Sequence, residues 1–192
     1  MSLAAATDKF CSVCGTLFHP RTSMQTVCGP VCGIKLGKGF AKQRRESTLR
    51  EAKQTRERRA ALKTIPDLIK EAQREFNGYI RARDAGQPCI CCGLPLGTGD
   101  VGGAFDAGHY RSTGSAPHLR FDERNCHAQR KVCNRWGAGR AVDYRRGLIE
   151  RLGAAVVGEI ESDNRVHKWQ RDELIAIRDL YRQKRKELEA KE

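Results

Sequence analysis

A chain of 192 residues with 36 Lys and Arg against 23 Asp and Glu carries a formal charge of +13, and such a field attracts phosphate backbones and releases their counterions, so nucleic acid is the expected partner. No stretch is long and apolar enough to span a membrane, and the basic stretches lack the aromatic and leucine face of an interfacial helix, which sets a membrane partner aside. Residues 1–10 lack the basic start and apolar run of a secretory signal, so the expected compartment is a reducing cytoplasm, where nine cysteines, an odd number, read as metal ligands rather than disulfides.

The first element is a knuckle. Cys11-x2-Cys14-x13-Cys28-x3-Cys32 supplies four thiolates close enough in sequence to close a tetrahedral zinc site. Residues 16–27 are expected to form a hairpin, and Cys28 to lead into a helix, the pattern of a treble-clef or zinc-ribbon finger. With four cysteines present, His19 is expected on the surface. Residues 33–63 then carry eleven Lys or Arg against three Glu with few apolar positions, so this stretch cannot bury a continuous face. It is expected to be a solvated helix or flexible linker, with Arg44, Arg45, Arg56, Arg58 and Arg59 as candidate phosphate contacts.

Thr64, Pro66 and Asp67 form a helix start, and Ile69, Ala72, Phe76 and Ile80 follow at helical spacing. The helix is expected to end by Gly86 and Pro88, with Arg74, Arg81 and Arg83 facing outward toward a ligand. Gly and short polar runs between Cys92 and Cys133 predict a hairpin and an ordered loop, with His109 on the strand from Phe105. A helix over residues 140–152, stopped at Gly153, and a last helix over residues 166–191 complete the chain. On that last helix Trp169, Leu174, Ile177, Leu180 and Tyr181 form a packing or dimer stripe.

The second cysteine cluster brackets His109, Asn125 and Asn134. Phosphodiester hydrolysis at neutral pH needs a base to activate water and a cation to hold charge on the phosphate. Histidine at the end of one strand, asparagine in the loop, and a polar residue directly after the last cysteine resemble the order found in HNH nucleases. That resemblance implies His109 as general base, Asn125 as the residue that orients the loop or the histidine, and Asn134 as a ligand of a catalytic Mg²⁺ or Mn²⁺. The slot before the histidine, commonly an acid in such enzymes, is Gly108, so Asp106 is the nearest carboxylate for the ion. Arg111 and Arg120 are candidates to grip the phosphate by proximity. A structural zinc in the same unit would take Cys89, Cys92 and Cys133. A second Cys-x2-Cys pair would place its fourth ligand at position 130, which holds Arg130, so Cys126 or His127 is expected to complete it, with Cys91 an extra thiol pointing elsewhere.

Longer strings are more specific. Phe76-Asn-Gly-Tyr-Ile-Arg-Ala-Arg-Asp-Ala-Gly-Gln-Pro-Cys89-Ile-Cys-Cys92-Gly, then the run from Asp106 through His109 to Phe121, and Asn125-Cys-His127 resemble the NinG family of lambdoid phage recombination proteins, also called Rap. The resemblance spans most of the chain. It implies a structure-specific endonuclease that nicks Holliday junctions and D-loops with Mg²⁺ or Mn²⁺ in the host cytoplasm; the sequence does not give the oligomeric state, although symmetric junction cutting would suit a homodimer. Position 130 is a departure, since cysteine is expected there in that family.

The expected fold is α+β and built of small zinc-organised units. These are a treble-clef-like four-Cys finger over residues 1–36, a basic helical linker over 37–63, an HNH-like ββα-metal core with its leading helix over 64–153, and a helical C-terminal tail over 154–192. The rival from another class is a non-enzymatic zinc-finger module that binds branched or single-stranded DNA and recruits recombination factors. An RNA-binding reading is weaker, because aromatic residues make up only 6% of the chain and no stacking motif stands out.

Overall fold

The structure, a computed structural model, describes residues 7–97 and 105–190. The start of the N-terminal stretch, the Gly-rich segment at 98–104 and the expected helix end at Lys191 lie outside the described residues. The chain forms two compact units, Met1–Leu62 and Lys63–Glu192.

In the first unit, strands β1 (Lys9–Phe10) and β2 (Leu17–Phe18) pair antiparallel, Lys9 with Phe18 and Phe10 with Leu17. The chain turns between them at the Cys11–Cys14 knuckle, where Cys11 N–H donates to Thr16 O at 2.9 Å and Gly15 adopts a φ of +72° that favours glycine. The hairpin therefore crosses the knuckle, rather than lying within 16–27, because the sulfurs must be turned toward one point. Helix α1 (Pro30–Ala61) starts with Pro30 in its first turn and runs 32 residues. Only Cys32 is buried along it, since its sequence offers no apolar stripe. Finger and basic linker thus form one unit, and the boundary expected after residue 36 falls inside a continuous helix.

In the second unit, helix α2 (Ile65–Arg83) is capped as its sequence dictates. Thr64 Oγ1 accepts from Asp67 N–H at 3.4 Å, and Asp67 Oδ2 accepts from Thr64 N–H at 3.0 Å. Its apolar stripe, Leu68, Ala72, Phe76 and Ile80, is fully buried. Strands β3 (Phe105–His109) and β4 (Cys126–Arg130) form an antiparallel pair in which Asp106 faces Gln129, Gly108 faces His127 and His109 faces Cys126. A single π-helical turn, Val132–Trp136, leads to α3 (Ala141–Leu152), α4 (Ala154–Ser162) and α5 (Arg171–Glu189).

Residues 154–192 do not stand apart as a tail. Leu174 and Tyr181 of α5 complete the core against α2 and β4, with Phe76 and Tyr181 rings edge to face at 4.8 Å. The expected last helix begins five residues late, where Gln170 N–H donates to Glu173 Oε2 at 2.8 Å and caps its first turn, while Arg111 holds the end of α4 through the carbonyls of Ile160 and Glu161 and that of Asp163 just beyond it. Trp169 precedes α5 and packs edge to face on Phe121 at 4.9 Å, so most of the stripe serves this chain's own core, while Leu180 remains 48% exposed. A second core of Ile90, Tyr144, Leu148 and Val157 fixes α3 and α4 to the loop that carries the cysteines.

Candidate metal centres and nuclease site

Two groups of four sulfurs form, each with all sulfurs within 4.8 Å of one another: Cys11, Cys14, Cys28 and Cys32, and Cys89, Cys91, Cys92 and Cys133. Each has the donor set to hold a zinc ion. Backbone N–H groups point at the sulfurs as they do where thiolates must be stabilised. Cys28 N–H lies 3.4 Å from Cys11 Sγ, and Arg130 N–H lies 3.3 Å from Cys89 Sγ. The Cys14 amide, ahead of other amide donors, draws the Cys11 thiol down to about 6. Burial raises the Cys89 thiol, but the amides of Arg130, Cys91 and Cys92 outweigh it and bring it to about 7.

The second group corrects the expected ligand set. Cys126 sits at the far end of β4, fully buried, with its sulfur 3.7 Å from His109 Nδ1, and burial pushes its thiol up. His127 lies on the opposite face of β4, where Nδ1 accepts from Arg83 at 3.0 Å and Nε2–H donates to Arg124 O at 3.3 Å. Neither joins the group; Cys91 does. The signal in the sequence was the Cys91-Cys92 doublet beside a vacant ligand register at 130.

His109 ends β3. Its Nε2–H donates to Arg120 O at 2.9 Å, which leaves Nδ1 as the unprotonated nitrogen, facing the Cys126 thiol at 3.7 Å, and burial lowers its pKa below the ordinary histidine value. Asn125 is fully buried and spends its whole amide on the loop: Oδ1 accepts from Arg111 N–H at 2.8 Å, while Nδ2–H donates to Arg111 O at 3.0 Å and Leu119 O at 3.2 Å. It staples the loop directly after the histidine and makes no hydrogen bond to the ring.

Asp106 and Asn134 come together. Asn134 Nδ2–H donates to Asp106 Oδ2 at 3.0 Å. Arg135, unforeseen from sequence, covers the same carboxylate with bonds of 2.8 and 2.9 Å. Burial alone would raise the Asp106 pKa, but Arg135 and Asn134 hold it below the carboxylate range. Two oxygen donors suit a Mg²⁺ ion that keeps several waters, provided the exposed Arg135 guanidinium gives way. Strand alternation sends Asp106 and His109 to opposite faces of β3, so the expected base and carboxylate are not gathered in one pocket. Gly108 offers no room for the missing acid either, since a Cβ there would meet Gln129 Oε1 at 2.2 Å.

The two arginines nominated near the histidine are structural. Arg111 donates to the α4 carbonyls and to Asn164 Oδ1 at 2.9 Å, and Arg120 donates to Gln73 Oε1 and Thr113 O, each at 3.2 Å. Arg83 likewise turns inward rather than toward a ligand, bonding Asp84 at 2.7 and 3.0 Å and Cys126 O at 2.9 Å. It helps line a cavity of about 350 Å³ with Asp84, Glu123, Arg124, His127 and Arg151, whose charges are paired with one another or with Asp122 and Glu159. By contrast Arg44, Arg45, Arg56, Arg58 and Arg59 lie exposed along α1.

The family model for the Bacteriophage Lambda NinG protein matches residues 3–192. The chain belongs to the NinG family. Protein ninG of Salmonella phage P22 is 42% identical over 191 residues, covering 91% of this chain and 90% of that protein. Protein ninG of Escherichia phage lambda is 40% identical, covering 91% and 89%, and that of Escherichia phage 933W is 39% identical over 202 residues, covering 97% and 96%. No solved structure matches the chain. The NinG fold described here is α+β, with two cysteine groups able to hold zinc, and no helix among the described residues is long and apolar enough to cross a membrane.

Proposed function

We propose that this NinG protein is a metal-dependent endodeoxyribonuclease that nicks branched recombination intermediates, such as Holliday junctions and D-loops, in the bacterial host cell. The observation that carries the reading is the hairpin-then-helix segment: His109 closes β3, and Asn134, just past Cys133, lies 3.0 Å from Asp106. A divalent ion held by Asp106 and Asn134 would lie on the face of β3 opposite His109 and would neutralise charge on bound phosphate there, apart from the base. His109, neutral at pH 7 because burial disfavours its cation, has Nδ1 without a proton, and the Cys126 thiol 3.7 Å from it would have to turn aside for that nitrogen to take a proton from water. The Arg120 carbonyl holds the ring, Asn125 holds the loop that presents that carbonyl, and the exposed arginines of α1 supply phosphate contacts along the duplex arms.

A second reading is favoured by two specific contacts: Cys126 stands against His109 Nδ1, and Arg135 caps Asp106. Under it the chain binds junctions through its fingers and α1 and recruits recombination factors without cutting. The discriminating experiment is cleavage of an end-labelled synthetic four-way junction beside linear duplex of the same sequence, with Mg²⁺, Mn²⁺ or chelator. Metal-dependent nicks confined to the junction are expected, with His109→Ala reducing the rate at least about 100-fold while leaving junction binding intact. Tight binding without cutting by folded, zinc-loaded wild type in either metal would leave only the adaptor.

A further inference from the structure

We propose that Cys91 is the fourth ligand of the second zinc site, standing in for the residue at position 130, so that the site reads Cys89-x-Cys91-Cys92 and Cys133 rather than two Cys-x2-Cys pairs. The inference is independent of whether the chain cuts DNA.

Three observations carry it. First, a tetrahedral zinc with Zn–S bonds of about 2.3 Å sets its sulfurs about 3.8 Å apart. Cys89 and Cys91 sulfurs are 3.6 Å apart, and all four lie within 4.8 Å of one another. Second, the place where a conventional fourth ligand would enter is occupied by Arg130, whose backbone N–H touches Cys89 Sγ at 3.3 Å. The main chain at 130 therefore already borders the site, and a cysteine there would start within reach of the metal. Third, Cys91 is supported from behind as ligands are. Gln129, 1% exposed, donates from Nε2 to Cys91 Sγ at 3.4 Å and to Gly139 O at 2.9 Å.

Local backbone geometry explains how three of four consecutive residues can serve one ion. Ile90 N–H donates to Ala128 O at 3.2 Å, and its side chain is buried in the core with Tyr144, Leu148 and Val157. Gly93 N–H donates to Cys89 O at 3.0 Å, which closes the turn and brings Cys92 round. With Ile90 fixed outside the group, Cys91 on its far side is carried toward Cys89. Cys126 and His127 are committed elsewhere, as their partners above demonstrate.

The test is zinc content by elemental analysis of the full-length chain, with circular dichroism to follow folding. Wild type is expected to hold one zinc in each of the two groups, and Cys126→Ser to keep both. Cys91→Ser is expected to lose the second equivalent, and Cys91→Ser/Arg130→Cys to regain it. A folded Cys91→Ser that keeps both ions overturns the proposal, as does a wild type that binds only one. Should Cys91→Ser fail to fold, restoration of both folding and the second ion in the double variant supports the exchange. A double variant that regains neither shows that position 130 is no substitute and overturns it.

Discussion

His109 and His127 sit on opposite faces of one hairpin, and both are disfavoured as cations, chiefly by burial. For His127 the Asp84 carboxylate pulls the other way, while Arg83 and Arg151 oppose the charge alongside burial. His109 faces Phe76, Cys126 and the Arg120 carbonyl, none of them an anion. An unfolded chain takes up protons on these imidazoles near the ordinary value of about 6.5, whereas the folded chain resists until lower pH. Their contribution to stability is therefore complete above about 6.5 and is lost as pH falls through the depressed folded values. Each can cost at most about 1.4 kcal/mol per pH unit in that window. Thermal unfolding followed between pH 7.5 and 5.5 should show a midpoint that declines on acidification, and less steeply in His127→Gln measured against its own value at pH 7.5. A midpoint that stays level or rises would mean that burial does not govern these rings. If His109 is the base of the proposed nicking, the same depression predicts that the half-maximal rate falls below pH 6.5.

At the level of elements, α2 could be read directly from sequence because a capping box and an apolar stripe act within one segment. The hairpin was legible through its histidine, yet the partition of its two faces was not, since it depends on register between strands more than fifteen residues apart. Neither Arg111 nor Arg120 betrays in sequence that its guanidinium is spent on carbonyls. The break between α3 and α4 shows the same limit: Gly153 marked a stop, but the helix after it forms because Val157 and Ile160 find cores that include Ile90 and Leu119. Glycine here separates two roles. A Cβ on Gly147 of α3 would lie 1.8 Å from the Ile90 carbonyl oxygen, a backbone atom of the cysteine loop, while one on Gly158 of α4 would meet nothing within 4 Å. Gly147→Ala should therefore destabilise by several kcal/mol, on the order of ~3, and loosen the second zinc. Gly158→Ala should stabilise by ~0.5–1 kcal/mol through helix propensity. Urea midpoints of the two variants check both, and equal effects would deny that α3 is seated on the cysteine loop.

Across the whole molecule the charge is divided unevenly between the two units. Residues 1–62 hold twelve Lys and Arg against four Asp and Glu, so most of the +13 resides in less than a third of the chain. In the second unit many arginines are consumed by carboxylates and carbonyls, as Arg83, Arg111, Arg124, Arg145 and Arg165 illustrate. Along α1 the six exposed arginines, Arg50 among them, make no ion pair among the described residues. A helix without an apolar face gains little from packing, so its sequence is free to serve as a row of cations. Binding to duplex arms should then depend on salt mainly through α1, each phosphate contact contributing about 0.9 to the slope of log K against log salt. Replacing Arg44, Arg45, Arg56, Arg58 and Arg59 together by Gln should flatten that slope by up to ~4–5, whereas Arg111→Gln should leave it unchanged while lowering stability. Fluorescence anisotropy on a labelled junction across a salt series measures both. If the Arg111 variant loses slope and the α1 variant does not, the anion-binding surface lies on the second unit and α1 is only a spacer.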